Sequence, residues 1–491
     1  VTLPDYYRPR HPPFEHQRKA LEIGWKREGF GYLFEMGLGK SKTVIDNFCL
    51  LHEAGQVDGM LLIAPKSVYT NWTKAGGELD THLWEHHLPT ARVFAYNAKT
   101  KKKDLSPTAT TGATMILERQ TPGVRILAVN IEAIRDIEGE AWHLCEKFLR
   151  THDCMLVVDE STIIKTHDSQ QTKRVLKLRD QAKVRRILTG SPSTGSPMDL
   201  YPQFEFLRPY ALGHKSWFTY RAEFCTMREI VVNGRSIKTI TGAKNLDKLA
   251  ALVERHSFRC RKDDCLDLPP KVYQRREIEL TKEQRTAYKE LKDSAMVELN
   301  GNTMTTQLVV TQLMRLHQIA CGHIKWDDGT VEHLPNGRIK ELANVLAESD
   351  EQVVIWCTYQ EDIQAVKKFL AETYGATQIA EWHGGVQQIV RDAGEVEFQA
   401  GRCRFMLASQ QSGARGRTWT RGRLVVYYSN NYDLELREQS EDRTHRIGQT
   451  GTVTYVDIVA TGTVDEKIIK ALRSKKNIVQ ELLRDGPKEW I

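Results

Sequence analysis

A short apolar run at residues 31–34 ends in Glu35-Met36-Gly37-Leu38-Gly39-Lys40-Ser41, and an amphipathic run with Val44, Ile45, Phe48 and Leu51 at helical spacing follows at once. This order predicts strand, glycine loop, helix. Glycines at 37 and 39 allow backbone angles and a close approach that a Cβ forbids, so successive N–H groups can face a polyphosphate at the helix N-terminus. In such a loop Lys40 reaches the β- and γ-phosphates and Ser41 holds Mg²⁺. The full phosphate-loop pattern would place Gly at position 34, where this chain has Phe34, so the match is partial. A glycine-rich turn with a surface lysine is the alternative that the rest of the chain has to exclude.

Further apolar runs support the first reading. Residues 60–64 lead into Pro65-Lys66-Ser67-Val68 with Trp72 beyond, and residues 155–158 end abruptly in Asp159-Glu160-Ser161-Thr162. Consecutive carboxylates at the end of a buried strand are costly unless they are paired or bind a metal. Asp159 suits the Mg²⁺ shell, and Glu160 suits orienting and deprotonating an attacking water. Two acids opening a surface loop are the plain alternative. A fourth run, 186–188, meets Thr189-Gly190-Ser191-Pro192, whose hydroxyls either sense a γ-phosphate or close the turn. Strands alternating with helices imply a parallel α/β sheet with its ligands at the strands' carboxyl ends.

The pattern restarts at Asn336, with strands expected at 353–357, 378–381, 404–409, 424–429 and 455–459. No second Gly-Lys-Ser occurs there. Residues 439–449 read Gln-Ser-Glu-Asp-Arg-Thr-His-Arg-Ile-Gly-Gln, which places Arg443 and Arg446 one helical turn apart. Two arginines from a second lobe could neutralise charge in phosphoryl transfer. A solvated helix with i, i+4 ion pairs is the competing reading. Between the halves, residues 205–335 look more helical and aromatic, with a hairpin at 231–235 around Asn233-Gly234 and a sharp break at Leu268-Pro269-Pro270. The basic run at 99–103 reads as part of a solvated loop, with contact to a phosphate backbone as its functional alternative. No repeat of solenoid period is evident.

With 491 residues, the chain exceeds what one core usually serves. Seventy Lys and Arg against 63 acidic residues leave a net charge of +7, a mild excess that favours a polyanionic partner without demanding one. The apolar runs fall far short of the roughly 20 residues that span a bilayer, and residues 1–14 are polar and proline-rich, so the expectation is a soluble, cytoplasmic protein. The nine cysteines are scattered, with Cys260 and Cys265 the nearest pair, and read as reduced, mostly buried thiols. His86, His87 and His143 have no ligand partners at metal-binding spacing.

The ordered set resembles the SWI/SNF-type branch of helicase superfamily two, the duplex-DNA translocases, in a minimal bacterial or phage-like form. Phe14-Glu15-His16-Gln17 looks like the glutamine motif, residues 35–41 like motif I, residues 64–67 with Asn71-Trp72 like motif Ia, residues 159–162 like motif II and residues 188–192 like motif III. Trp382-His383-Gly384 looks like the segment after motif IV, Ser412-Gly413-Ala414-Arg415-Gly416 like a looser motif V, and residues 439–449 are close to motif VI. Leu268-Pro269-Pro270-Lys271 and residues 463–467 are also typical of the branch. Phe34, Ser161-Thr162 and Ala414 depart from the usual residues, yet no group needed for the chemistry is lost.

The resemblance implies an α/β protein of two RecA-like parallel-sheet lobes, 1–204 and 336–462, with helical insertions at 205–335 and a C-terminal helical brace at 463–491. It implies a DNA-dependent ATPase with its ATP site between the lobes. Gln17, Gly37, Gly39, Lys40, Ser41, Gly416 and Gln439 would bind ATP, with Ser41 and Asp159 on Mg²⁺. Lys40, Asp159, Glu160, Arg443 and Arg446 would be catalytic. Double-stranded DNA would be held without sequence preference by Lys66, Ser67, Asn130, His383 and Ser409, and the simplest expectation is a monomer. Rival readings are a strand-separating or annealing helicase, an RNA motor on the same fold, and a nucleic-acid-binding scaffold that uses ATP only as a switch.

Overall fold

The computed structural model describes residues 2–66, 68–73, 77–96, 113–119, 123–193, 196–232, 235–265, 268–301, 306–326, 328–413 and 417–473. The chain divides into two compact units, Val1–Leu266 and Asp267–Ile491. The basic run 99–103, the Asn233-Gly234 turn, Ser67, residues 414–416 and residues 474–491 lie outside the described residues.

The first unit is built on a seven-stranded sheet. Its strands are β1 (Gly29–Phe34), β2 (Gly59–Ala64), β3 (Arg92–Ala95), β4 (Arg125–Asn130), β5 (Cys154–Asp159), β6 (Val184–Leu188) and, after the hairpin β7 (Cys225–Val232) and β8 (Arg235–Ala243), β9 (Ser257–Cys260). The order is β3-β4-β2-β5-β6-β1-β9, and every pairing is parallel. Such sheets are covered on both faces, and the strands here are accordingly near-continuous apolar runs. Alternation sorts them by face: Leu61, Ile63, Leu127, Val129, Leu156 and Val158 enter one core, whereas Met60, Leu62, Ile126, Ala128, Met155 and Val157 enter the other.

The second unit contains β10 (Lys271–Ile278), the short hairpin β11 (His323–Lys325) and β12 (Val331–His333), then β13 (Val353–Cys357), β14 (Ile379–Trp382), β15 (Phe405–Ser409), β16 (Leu424–Tyr427) and β17 (Val453–Ala460). Six of these form a parallel sheet in the order β10-β17-β16-β13-β15-β14. Val353, Ile355, Phe405 and Leu407 face one core, and Val354, Trp356, Met406 and Ala408 face the other. Each unit thus carries the parallel α/β sheet that the sequence implies.

Residues 205–335 are more than a helical insertion. They supply an edge strand to each sheet, β9 to the first and β10 to the second. β9 is buried only at its two ends and β10 has no fully buried residue, so neither shows the apolar run of a central strand. The helices Lys282–Gly301 and Thr306–Cys321 belong to the second unit, where Leu313, Leu316 and Ile319 pack with Ile468, Ile469 and Leu472 of the C-terminal helix Val464–Arg473. Asp465 of that helix pairs with the buried Arg338, whose guanidinium also donates to the Ile458 carbonyl at 2.9 Å, and His317 meets the same carboxylate at 3.1 Å. The segment 463–467 therefore has a structural role within its own unit.

One cysteine expectation needs correction. Cys260 and Cys265, read from their scatter as reduced thiols, are joined by a disulfide, because the turn after β9 brings them together. The other seven cysteines are free and buried.

Candidate nucleotide site

The adjacent strands β5, β6 and β1 end together, with Asp159 in register with Leu188 and Leu188 in register with Tyr32. At the end of β1 the chain turns through Gly37 and Gly39, both at positive φ, and Gly39 leads into the helix Lys40–Glu53. No side chain caps that helix, so its first N–H groups face the loop opening as the expected phosphate cradle requires. Lys40 lies over the strand end, its Nζ donating to the Phe34 carbonyl at 3.0 Å, and Ser41 is half-buried beside it. Gln17 is buried and engaged with this loop. Its Nε2 donates to the Leu38 carbonyl at 3.0 Å while its Oε1 accepts from the Phe14 amide. A Cβ on Gly39 would sit 2.2 Å from that Nε2 and push the Gln17 amide off the Leu38 carbonyl, and the φ of +76° is one that glycine adopts without strain.

Asp159 ends β5 in a buried position. Its Oδ2 accepts from Trp72 Nε1 at 2.9 Å and its Oδ1 from the Glu160 amide at 2.9 Å. Burial, together with the Glu160 carboxylate next door, pushes the Asp159 carboxyl up to about 7, against the opposing influence of Trp72 and Lys40. Such a group lacks a full positive partner, and a divalent cation would supply one. Glu160 is in the left-handed region at φ 50°, ψ 60°, a conformation that costs a non-glycine residue about 1–3 kcal/mol and is typical of functional sites. The turn is held by the Ile163 amide donating to the Glu160 carbonyl.

The loop after β6 packs on the phosphate loop: a Cβ on Gly190 would meet Met36 and the Phe34 carbonyl at 3.4 Å. Thr189 is buried and accepts from the Ser191 amide, which closes the turn. A residue that sequence reasoning missed joins this loop to the carboxylates. Ser161 Oγ donates to Gln203 Oε1 at 2.6 Å, and Gln203 Nε2 donates to the Pro192 carbonyl at 2.6 Å and the Asp199 carbonyl at 2.7 Å. Gln203 is fully buried beside Phe204, Phe206 and Leu207 in a mostly apolar helix, and an unexplained glutamine among them was the signal available.

In the second unit, Arg443 and Arg446 do not lie on a helix. The helix Leu434–Glu441 ends before them and the chain tightens to i→i+3 bonds, with the Arg443 amide on the Ser440 carbonyl and the Thr444 amide on Glu441. The Arg443 carbonyl instead accepts from the Trp419 amide, a long-range bond that helical spacing could not reveal. Both arginines nevertheless point the same way and donate to the Arg417 carbonyl, at 2.8 and 2.9 Å. Arg443 is buried and Arg446 half-buried. Gln439 donates to Glu435 at 2.8 Å, and Gly416 lies outside the described residues.

Behind this turn lies a buried charge network. Arg437 binds Asp457 Oδ1 at 2.5 Å and Glu441 Oε1 at 2.9 Å, and Glu441 Oε2 accepts from Lys271 at 3.0 Å and the Tyr273 hydroxyl at 2.7 Å. Burial alone would raise the Glu441 pKa, but Arg437 and Lys271 overcome that and hold it at about 2. The Pro269 carbonyl meets His445 at 2.7 Å, so the Pro-Pro segment is pinned to the same turn.

The residues expected to grip DNA also fall at strand ends. Lys66 follows β2 and is exposed, and Asn130 ends the neighbouring β4, in register with Ala64. Asn130 is buried, with its Oδ1 accepting from the Ala133 amide at 2.9 Å. In the second unit His383 follows β14, and Ser409 ends the neighbouring β15. His383 is buried between Glu381, at 3.1 Å, and the Gly385 amide, whereas Ser409 bonds Ser412 at 2.6 Å. Asn130 and His383 thus shape their loops, and Lys66 is the exposed cation of the set.

Residues 16–324 match the family model described as SNF2-related domain, and residues 337–448 match the helicase conserved C-terminal domain. The chain is 25% identical over 495 residues to the DNA annealing helicase and endonuclease ZRANB3 of Bos taurus, covering 99% of this chain and 42% of that protein. It is 25% identical over 482 residues to the putative ATP-dependent helicase/translocase YwqA of Bacillus subtilis (strain 168), covering 95% of this chain and 48% of that protein. The chain therefore spans less than half the length of these relatives. Among solved structures, the Sulfolobus solfataricus SWI2/SNF2 ATPase core in complex with dsDNA aligns with 21% identity and a TM-score of 0.43, covering 100% of this chain and 96% of that one.

Proposed function

The chain belongs to the SNF2-related family, and from that premise we propose that it is a DNA-dependent ATPase that tracks along duplex DNA without separating its strands. One observation carries the reading. The phosphate loop, the Asp159-Glu160 pair and the Thr189-Gly190 turn occupy the ends of three adjacent strands, while Lys66 and Asn130 occupy the ends of the next two, so one edge of the first sheet offers a nucleotide site beside a second surface.

Lys40 and the uncapped helix N-terminus would hold the phosphates of ATP, with Ser41 and Asp159 as the ligands for Mg²⁺, which when bound offsets phosphate charge. Glu160 would orient the attacking water and accept its proton. Arg443 and Arg446 of the second unit would neutralise charge that develops on the transferred phosphoryl group. The relay Ser161–Gln203–Pro192 would pass movement of the carboxylate loop to the turn after β6. Lys66 would contact backbone phosphate, which gives sequence-independent binding that weakens steeply with salt.

Displacement of a third strand from a triplex, compared with unwinding of a forked duplex, tests the tracking claim. Triplex displacement that depends on ATP, with the fork left intact, is expected. Fork unwinding without triplex displacement would place the chain with strand-separating helicases instead.

A further inference from the structure

The disulfide pair lies beside the nucleotide loop with a third donor in reach. Both sulfurs of Cys260 and Cys265 and one ring nitrogen of His16 lie within 4.8 Å of one another. His16 precedes the buried Gln17, and its Nε2 is 2.9 Å from the Leu38 carbonyl. A carbonyl can only accept, so Nε2 carries the proton and Nδ1 keeps the lone pair. Metal-binding histidines are commonly oriented in this manner, with one nitrogen donating to a carbonyl and the other left for the ion. The cysteines are spaced Cys-x₄-Cys, within the range of zinc sites, and their Cα atoms are 7.0 Å apart across a single turn. Cys260 and His16 are buried and Cys265 is half-buried.

We propose that, once the pair is reduced, His16, Cys260 and Cys265 bind a zinc-class divalent cation, so that the disulfide and the bound ion are alternative states of one clasp at the phosphate loop. Formation of the metal-binding state needs a dithiol reductant. One of its thiolates attacks a sulfur of the Cys260–Cys265 bond, its second thiol resolves the mixed disulfide, and the protein gains two thiols as the reductant becomes a disulfide. Both cysteines then bind as thiolates and release their protons, with three protein ligands leaving a fourth position for water. The clasp is tied directly to the nucleotide loop. The Glu35 amide donates to the Cys260 carbonyl at 3.0 Å, the Glu35 carboxylate accepts from the Lys262 amide at 3.0 Å, and His16 holds Leu38. A change of state at the cysteines therefore acts on both ends of the turn that carries Gly37.

The test uses the full chain, reduced with a phosphine and freed of metal, titrated with Zn²⁺ against a chromophoric chelator while thiol alkylation is mapped by mass spectrometry. One ion per chain is expected, with Cys260 and Cys265 protected from alkylation. Cys265→Ser and His16→Ala, checked for folding by circular dichroism, should each weaken binding by at least about tenfold, whereas Cys403→Ser in the second unit should retain it. The proposal is overturned if the reduced wild-type chain binds no Zn²⁺ at stoichiometric concentration, if Zn²⁺ leaves both thiols open to alkylation, or if either ligand variant binds as tightly as wild type. None of these readouts depends on ATP turnover, so they separate the clasp from the assignment of the motor.

Discussion

Replacing Glu441 by Gln removes the charge at the centre of the network behind the arginine turn. The side chain is 11% exposed, so solvent screens it little. Its pKa of about 2 in the fold, against an ordinary 4.5, corresponds to about 3 kcal/mol of stabilisation at pH 7, at about 1.4 kcal/mol per unit. Removing one member of a buried pair typically costs about 3–5 kcal/mol, which agrees. Gln can still accept one hydrogen bond, but its amide NH₂ would face either the Lys271 ammonium or the Arg437 guanidinium, donor against donor. Because the folded pKa lies below the unfolded one, the contribution is fully present above about pH 4.5 and fades as pH falls toward 2; at pH 3 about 1 kcal/mol remains. The assay is hydrogen exchange along a urea series, read on peptides from residues 434–460 in wild type and variant, which isolates the second unit. A penalty under about 1 kcal/mol at pH 7, or one equally large at pH 3 and pH 7, would refute the claim that charge pairing holds this turn.

Three further outcomes follow from the site. Lys40→Ala should abolish ATP turnover, and Glu160→Gln should keep nucleotide binding while losing hydrolysis; near-normal hydrolysis in Glu160→Gln would remove its water-orienting role. Arg446→Ala should lower turnover much more than ATP affinity, toward the about 10³–10⁵ that an arginine finger supplies, whereas the buried Arg443→Ala should also lower the melting temperature; turnover within a few-fold of wild type in both would return these residues to a purely structural role. Gln203→Leu, close in size but unable to relay Ser161 to Pro192, should leave ATP affinity within a few-fold and cut the stimulation of turnover by DNA; unchanged stimulation would show that the relay transmits nothing.

The legible parts of this molecule are local ones. Gly37, Gly39 and Lys40 announce a phosphate loop because backbone freedom and a helix start are written into seven consecutive residues. Asp159 and Glu160 stand out because a buried strand seldom ends in two acids. Legibility fails where a partner comes from far along the chain. The tightened turn at Arg443 depends on the Trp419 amide, and the tie between the carboxylate loop and the turn after β6 depends on Gln203. Edge strands β9 and β10 escaped because partly exposed strands lose the apolar run that marks β2 or β5. Asn130 and His383 show a further limit: a polar residue at a strand end looks the same in sequence whether it caps a loop, as both do here, or faces a ligand.

The central claim is that this chain couples ATP hydrolysis to duplex DNA, and steady-state ATPase of the full chain tests it most directly, measured without nucleic acid and then with duplex DNA, single-stranded DNA or RNA. Turnover should rise most with duplex DNA, regardless of its sequence, lose that rise as salt increases, and vanish in Lys40→Ala under every condition. Turnover indifferent to duplex DNA, or raised by RNA alone, would contradict the account.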